Sequence, residues 1–148
     1  MILPDANLLL YAYDAASPFH ARSAAWWSKC LSDSEPVGFC PSVLFSFIRI
    51  ATSARAFARP LTIQEASTHV RDWLEQPVAQ LVETELQDIR QALALLVEAG
   101  TGGNLTTDAQ IAAVSLRLGA VVHTVDSDYA RFPRVRWFNP LTGKRLAA

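Results

Sequence analysis

Cysteine is nearly absent from this 148-residue chain. Cys30 and Cys40 are the only two, which excludes a disulfide framework and matches no zinc-ligand spacing. Histidine is almost as sparse: His20, His69 and His123 fall in unrelated segments with no nucleophile elbow, so serine–histidine catalysis has no support. No apolar run approaches the roughly 20 residues of a membrane helix. Walker-type and dinucleotide glycine motifs are missing too, because GTGGN (100–104) follows a helical pattern rather than a strand. Repeats, low-complexity segments and linkers do not occur. The stretch MILPDANLLLYAYDA has no basic leader and meets an aspartate at once, which reads as structure rather than a signal peptide. Two small buried thiols in a reducing compartment, and hence a cytoplasmic protein without membrane contact, are the expectation.

What is present favours a folded domain. Hydrophobic residues make up 51% of the chain, enough for a substantial core at this length. Net charge is −1, so bulk electrostatics name no partner. The cations are nevertheless biased, eleven of the thirteen being arginine, the side chain suited to bidentate phosphate contacts. Arg49, Arg55 and Arg59 fall in a stretch with no acid between Glu35 and Glu65, and Arg131, Arg134 and Arg136 form a second group. Basic stretches bordering an acidic pocket suit a polyanion, although any one of these arginines is also explained as solvated surface.

Short apolar runs alternate with helical patterns. Ile2–Pro4 is too brief for a helix; Asp5 or Asn7 then heads LLLYAYD, and Ser17-Pro18 opens a helix from about Phe19 to Leu31 around Trp26 and Trp27. Val37–Cys40 reads as a strand, and Pro41-Ser42 starts a helix through VLFSFIRIATSA. Thr62 and Glu65 form a capping box before QEASTHVRDWLEQ. Val78–Val82 is a short strand, and Glu85–Ala99 is a helix stopped by Gly100. Leu105–Leu118 is a helix capped by Thr106 or Thr107 and ended by Gly119. Val121–Val125 and Arg136–Phe138 complete the set, with a polar tail from about residue 140. Such alternation implies one α/β domain over 1–148, its parallel sheet covered on both faces.

Ligands of an open parallel sheet sit beyond the carboxyl ends of its strands. Asp5 ends the first strand, Asp126 and Asp128 follow the last long one, and Asp108 lies in the first turn of a helix running back to the sheet. Taken singly, Asp5 and Asp108 are explained as helix caps and Asp126 with Asp128 as an Asx turn. Capping, however, does not require all four acids to share one edge. Clustered carboxylates without compensating lysines call for a cation, and oxygen ligands select Mg²⁺ or Mn²⁺ over zinc. Phosphodiester hydrolysis, with the ion rather than a side-chain base generating the nucleophile, is the chemistry implied.

Four blocks in order, LPDANLLLYA, SFIRIAT, GNLTTDAQIAAVSLRLGA and TVDSDYARFPRVRWFNP, resemble a PIN domain, and more narrowly the VapC toxins of bacterial toxin–antitoxin pairs. The resemblance implies a three-layer α/β/α fold with a short, mainly parallel sheet. It further implies a Mg²⁺- or Mn²⁺-dependent endoribonuclease acting on tRNA or rRNA, homodimeric, and inhibited by a VapB-type antitoxin. By position, Asp5, Asp108, Asp126 and Asp128 match the family's acids, Thr124 matches its hydroxyl residue near the metal, and Asn7 and Asn104 are supporting polar groups. Arg49 matches the third-helix arginine and, with Arg131 and Arg134, is a candidate for gripping RNA phosphates. Three residues before that arginine the family carries a glutamate; here the position is Ser46, whose hydroxyl can hold a water on the metal. Two readings follow: a nuclease working with four acids around one principal ion, or a catalytically weakened module that binds RNA or a partner. Trp26 and Trp27 point about 100° apart on a helix, so either one broad buried face holds both or one indole meets an antitoxin, with Phe45, Phe47, Phe57 and Trp73 as similar candidates.

Overall fold

Three-residue apolar strands and longer amphipathic helices alternate along the chain, as the hydrophobic spacing demands. The computed structural model describes residues 1–146. Its elements are β1 (Ile2–Pro4), α1 (Ala6–Tyr13), α2 (His20–Ser32), β2 (Val37–Phe39), α3 (Pro41–Ala51), α4 (Ile63–Leu74), β3 (Ala79–Leu81), α5 (Leu86–Ala99), α6 (Leu105–Leu118), β4 (Val121–His123), β5 (Trp137–Asn139) and β6 (Lys144–Leu146), with a 3-10 turn at Ser127–Arg131. The sheet order is β3-β2-β1-β4-β5-β6. Every neighbouring pair is parallel except β5 with β6.

That order dictates the layers. β1 to β2 to β3 steps outward in one direction, and right-handed crossovers put α1 to α4 on one face. The chain then returns across β1 to β4, so α5 and α6 must cover the opposite face. The fold is the expected α/β/α arrangement around a short, mainly parallel sheet. The polar tail is a correction: its first residues turn at Gly143, where φ is 73°, and pair back on β5 as β6. The tail's last two residues, 147 and 148, lie outside the described residues.

Local signals largely hold. Thr62 and Glu65 form the capping box, with Glu65 N to Thr62 Oγ1 at 3.2 Å and Thr62 N to Glu65 Oε2 at 2.7 Å. Gly100 and Gly119 end their helices in left-handed conformation, at φ 70° and 61°. Gly38 is required by packing, since a Cβ there would stand 2.6 Å from Leu3 Cδ2. Phe39, Phe47, Trp27 and Trp73 cluster in the core, with Phe39 and Trp73 stacked at 6.3 Å. Trp27 is buried, whereas Trp26 is half-buried and donates its indole N–H to His123 Nδ1 at 3.1 Å. One broad face therefore takes both indoles. Phe45 alone of the other aromatic candidates is strongly exposed, at 70%.

Arg117 clamps α6 to the start of α5. Its guanidinium donates to Asp88 Oδ1 at 2.8 Å, Glu85 Oε1 at 2.9 Å and the Glu83 carbonyl at 2.9 Å. Asp88 is only 2% exposed and also accepts the Glu85 amide. Replacing Asp88 by Ala strands two donors, and urea unfolding is expected to show a loss of about 2–4 kcal/mol. A loss below ~0.5 kcal/mol would contradict this role for the clamp. Among the described residues no helix is long and apolar enough to cross a membrane.

Candidate active site

The crossovers from β1 and β4, which are hydrogen-bonded neighbours, depart in opposite directions. This reversal makes their carboxyl ends the crevice where open α/β sheets bind ligands. Pro4 pairs with His123, so the next residue on each strand, Asp5 and Thr124, emerge side by side. Asp5 donates its amide to the His123 carbonyl at 2.9 Å.

Thr124 is the hub of this edge. Fully buried, its hydroxyl donates to Asp5 Oδ2 at 2.7 Å and accepts from the Asp126 amide at 2.9 Å. Asn7 Nδ2 donates to both Asp5 Oδ2, at 2.9 Å, and Thr124 Oγ1, at 3.2 Å. Asp5 occupies the N-cap position of α1 but makes no side-chain capping bond; its carboxylate is committed to Thr124 and Asn7 instead. A capping role for Asp5 is thereby set aside.

Asp108 is likewise not a cap. The N-cap of α6 is Asn104, without a side-chain capping bond. Thr106 and Thr107 already lie inside the first turn, which corrects the cap expected there. Asp126 does shape an Asx turn, accepting the Asp128 amide through Oδ1 at 2.8 Å and so opening the 3-10 turn. That role engages one of its two oxygens.

Electrostatics join the acids. Burial raises the Asp5 carboxyl above its usual 3.8; the Thr124 bond and the Ala6 amide oppose this, and the charge of Asp126 adds to it. Asp108 is pushed up to about 7, by burial first and then by the charges of Asp5, Asp126 and Asp128. Among the described residues no basic side chain offsets either acid. All-oxygen donors in an uncompensated negative field fit a hard divalent cation. Among the described residues no three His, Cys, Asp or Glu side chains stand close enough to share an ion. Ligation therefore requires side-chain rotation, for which Asp108, with no hydrogen bond among its influences, is free.

The other expected site residues are less gathered. Ser46 is half-buried on α3 and Arg49 exposed one turn later; no hydrogen bond joins Ser46 or Asn104 to the acids among the described residues. Arg131 is exposed on the 3-10 turn. Arg134 Nη2 lies 3.6 Å from Glu98 Oε2, both side chains exposed, a pairing too weak to hold it from a phosphate. Cys30 and Cys40 are buried, unpaired thiols, as expected, and burial pushes them up to about 12 and about 11. Tyr129 is the residue that sequence reasoning missed. It is wholly buried with its hydroxyl unpartnered among the described residues. An aromatic directly after two acids was its only signal, and it reads as core.

With this geometry in view, the comparisons are specific. The PIN domain family model matches residues 2–135. The chain is 43% identical to Ribonuclease VapC33 of Mycobacterium tuberculosis over 141 residues, covering 95% of this chain and 99% of that protein. It is 40% identical to Ribonuclease VapC37 of the same organism, covering 95% and 97%. Among solved structures it resembles VapC20 of M. tuberculosis, described as a Sarcin-Ricin loop cleaving toxin, with TM-score 0.68, 18% identity, and 88% and 93% of the two chains covered. It also resembles VapBC2 from Rickettsia felis bound to a DNA fragment from their promoter, with TM-score 0.64, 16% identity, and 94% and 98% covered. At such identities the solved structures speak to the fold.

Proposed function

This chain belongs to the PIN-domain family, and from that premise we propose that it is a Mg²⁺- or Mn²⁺-dependent endoribonuclease toxin, cleaving tRNA or rRNA and held inactive by a VapB-type antitoxin. The observation that carries the reading is the convergence of Asp5 and Asp126 on the buried Thr124 hydroxyl at the sheet's carboxyl edge, beside Asp108, whose carboxyl is pushed up to about 7 by burial first and then by the charges of Asp5, Asp126 and Asp128. Relatives named as VapC ribonucleases over nearly their whole length support the activity. Likeness to VapBC structures supports the antitoxin.

When bound, a divalent ion held by Asp5, Asp108 and Asp126 supplies Lewis acidity at the scissile phosphate and lowers the pKa of a water. The side chains do the rest. Thr124 and Asn7 fix the orientation of Asp5, and Asp128 is a further ligand or orients the attacking water. Arg49 and Arg131 grip neighbouring RNA phosphates, joined by Arg134 once it exchanges Glu98 for the backbone.

Ser46 in place of a carboxylate favours one alternative, a PIN-like module that binds RNA or a partner without cutting. Incubation with total RNA in Mg²⁺ and in Mn²⁺, with 5′-end mapping, separates the two. Cuts at discrete positions support the nuclease; RNA retained without cuts in either ion supports the module. A homodimer finds support on α5, where Leu86, Ile89, Leu93 and Val97 form an exposed row at helical spacing. Leu93→Asp is expected to shift the protein from dimer to monomer in light scattering while its far-UV circular dichroism stays that of the folded parent. An unaltered mass would argue against this face.

A further inference from the structure

Among the described residues Phe45 is the aromatic most open to solvent, 70% exposed against 38% for Phe19, and the site described above does not use it. Phe47, two residues on, points about 200° away round the helix and is wholly buried. Val43, Leu44 and Ala51 are buried with it. The apolar face of α3 is thus committed to the core, and Phe45 stands on the opposite side. No other ring packs against it among the described residues.

The surroundings of Phe45 are cationic and polar. Arg49, four residues on, lies on the same side of the helix, exposed and in no ion pair among the described residues. Arg55 and Arg59 follow, both exposed, in the connection to α4, and no acid occurs from residue 36 to 64. Ser42 and Ser46, half-buried, are polar neighbours on the helix. A protein segment would call for a wider apolar patch than one ring. A nucleotide calls for a flat π-face under its base and a guanidinium on its phosphate. The position agrees. β1 and β2 are parallel neighbours with Ile2 level with Val37, so by the same register Asp5 and Cys40 leave the sheet side by side, about 5 Å apart. α3 starts at Pro41, and Phe45 lies roughly 6 Å further along its axis.

We infer that Phe45 is a base-stacking platform: an unpaired base flanking the scissile phosphate lies on its ring while Arg49 holds that nucleotide's phosphate. Bases inside a duplex are already stacked on one another, so the ring discriminates for unpaired RNA. The inference rests on the RNA-directed reading above, and it holds for a nuclease and for a binding module alike.

The test is fluorescence anisotropy with a labelled mixed-sequence oligoribonucleotide, single-stranded or annealed to its complement, in EDTA so that no strand is cut by a metal-dependent route. Phe45→Leu keeps an apolar side chain and removes the π-face. Because Phe45 is exposed, the melting temperature of this variant is expected to match the parent's. Its affinity for the single strand is expected to fall about tenfold, with the duplex bound as by the parent. Phe45→Trp is expected to bind the single strand at least as tightly as the parent. Arg49→Gln is expected to weaken both forms and to flatten their salt dependence. Equal single-strand affinity of parent and Phe45→Leu overturns the stacking, and so does an equal loss on the duplex. Unaltered RNA affinity beside a lower mass in light scattering assigns the ring to a second copy of the chain, and beside a weaker antitoxin complex to that partner; either result overturns the inference. A parent that binds neither form overturns the RNA-directed reading and this one with it. In a parent that binds RNA but leaves total RNA uncut in Mg²⁺ and Mn²⁺, the tenfold loss supports the stacking while the nuclease reading fails.

Discussion

Asp5→Asn is expected to reduce RNA cleavage by roughly 100-fold or more while leaving the fold intact. Loss of a supporting group commonly costs 10–100-fold in metal affinity, and loss of a ligand should cost at least as much. The fold should survive because the change is isosteric and the amide oxygen can still accept from Thr124 and Asn7, which now donate to Asp5 Oδ2 at 2.7 and 2.9 Å. Burial already disfavours the charge at Asp5, so replacing it by a neutral amide should change stability by no more than about 1 kcal/mol. Cleavage rates on a mapped RNA, beside urea unfolding of the same preparation, check both halves. Undiminished cleavage by a folded Asp5→Asn would sink the assignment of Asp5.

Asp108 should make stability depend on pH in an unusual direction. Its carboxyl is raised from 3.8 to about 7 in the fold, so between those values the folded state holds a proton that the unfolded state has released. Stability from this group is fully present below pH ~4 and is lost as pH rises to about 7, then stays level. A shift of about three units corresponds to at most ~4 kcal/mol. Asp108 is only partly buried, and solvent screening reduces that to about 1–2 kcal/mol. Asp108→Asn is therefore expected to be more stable than the parent by about that amount at pH 8 in EDTA, with the gap closing toward pH 4. Adding millimolar Mg²⁺ should reverse the order, since the cation stabilises only the protein that binds it. Equal stabilities of the two proteins at pH 8 in EDTA would contradict the raised Asp108 carboxyl, to which burial contributes first and the neighbouring acids next.

The residues behind these effects are partly legible in the amino-acid sequence. Hydrophobic runs fix where parallel strands stop, and the residue after each stop must emerge at the ligand edge. Asp5 follows from that rule and Asp108 from the helix returning to the sheet, whereas Asp126 follows only from an expected strand Val121–Val125 that ends in the fold at His123, with Thr124 next at the edge. Thr124 is assigned by resemblance; its hub geometry is not legible, since one hydroxyl serving Asp5, Asn7 and Asp126 depends on the parallel register of β1 and β4. The capping alternative for Asp5 is likewise decided only by the folded chain, because a residue in the N-cap position does not reveal where its side chain turns.

The misses have physical causes as well. β6 reads as a polar tail because it is a three-residue strand at the sheet margin, too short to write a readable alternation into the sequence. Thr106 and Thr107 look like caps by composition, yet α6 starts at Leu105 with Asn104 in the N-cap position, two or three residues earlier, and helix ends are the least sharply written part of a helical pattern. Tyr129 looks like core and is core; only its unpaired hydroxyl, invisible in sequence, sets it apart. Ser46 remains the clearest departure from the family pattern, and the charge it withholds falls to the four aspartates.

If those four aspartates jointly hold one divalent cation, crystals of the parent protein grown with Mn²⁺ must show it in an anomalous difference map. One strong peak is expected, bounded by Asp5, Asp108 and Asp126, with Asp128 within reach of the ion or of its water. No such peak is expected in Asp5→Asn crystals. A peak elsewhere on the molecule, or none at saturating Mn²⁺, would contradict the shared site.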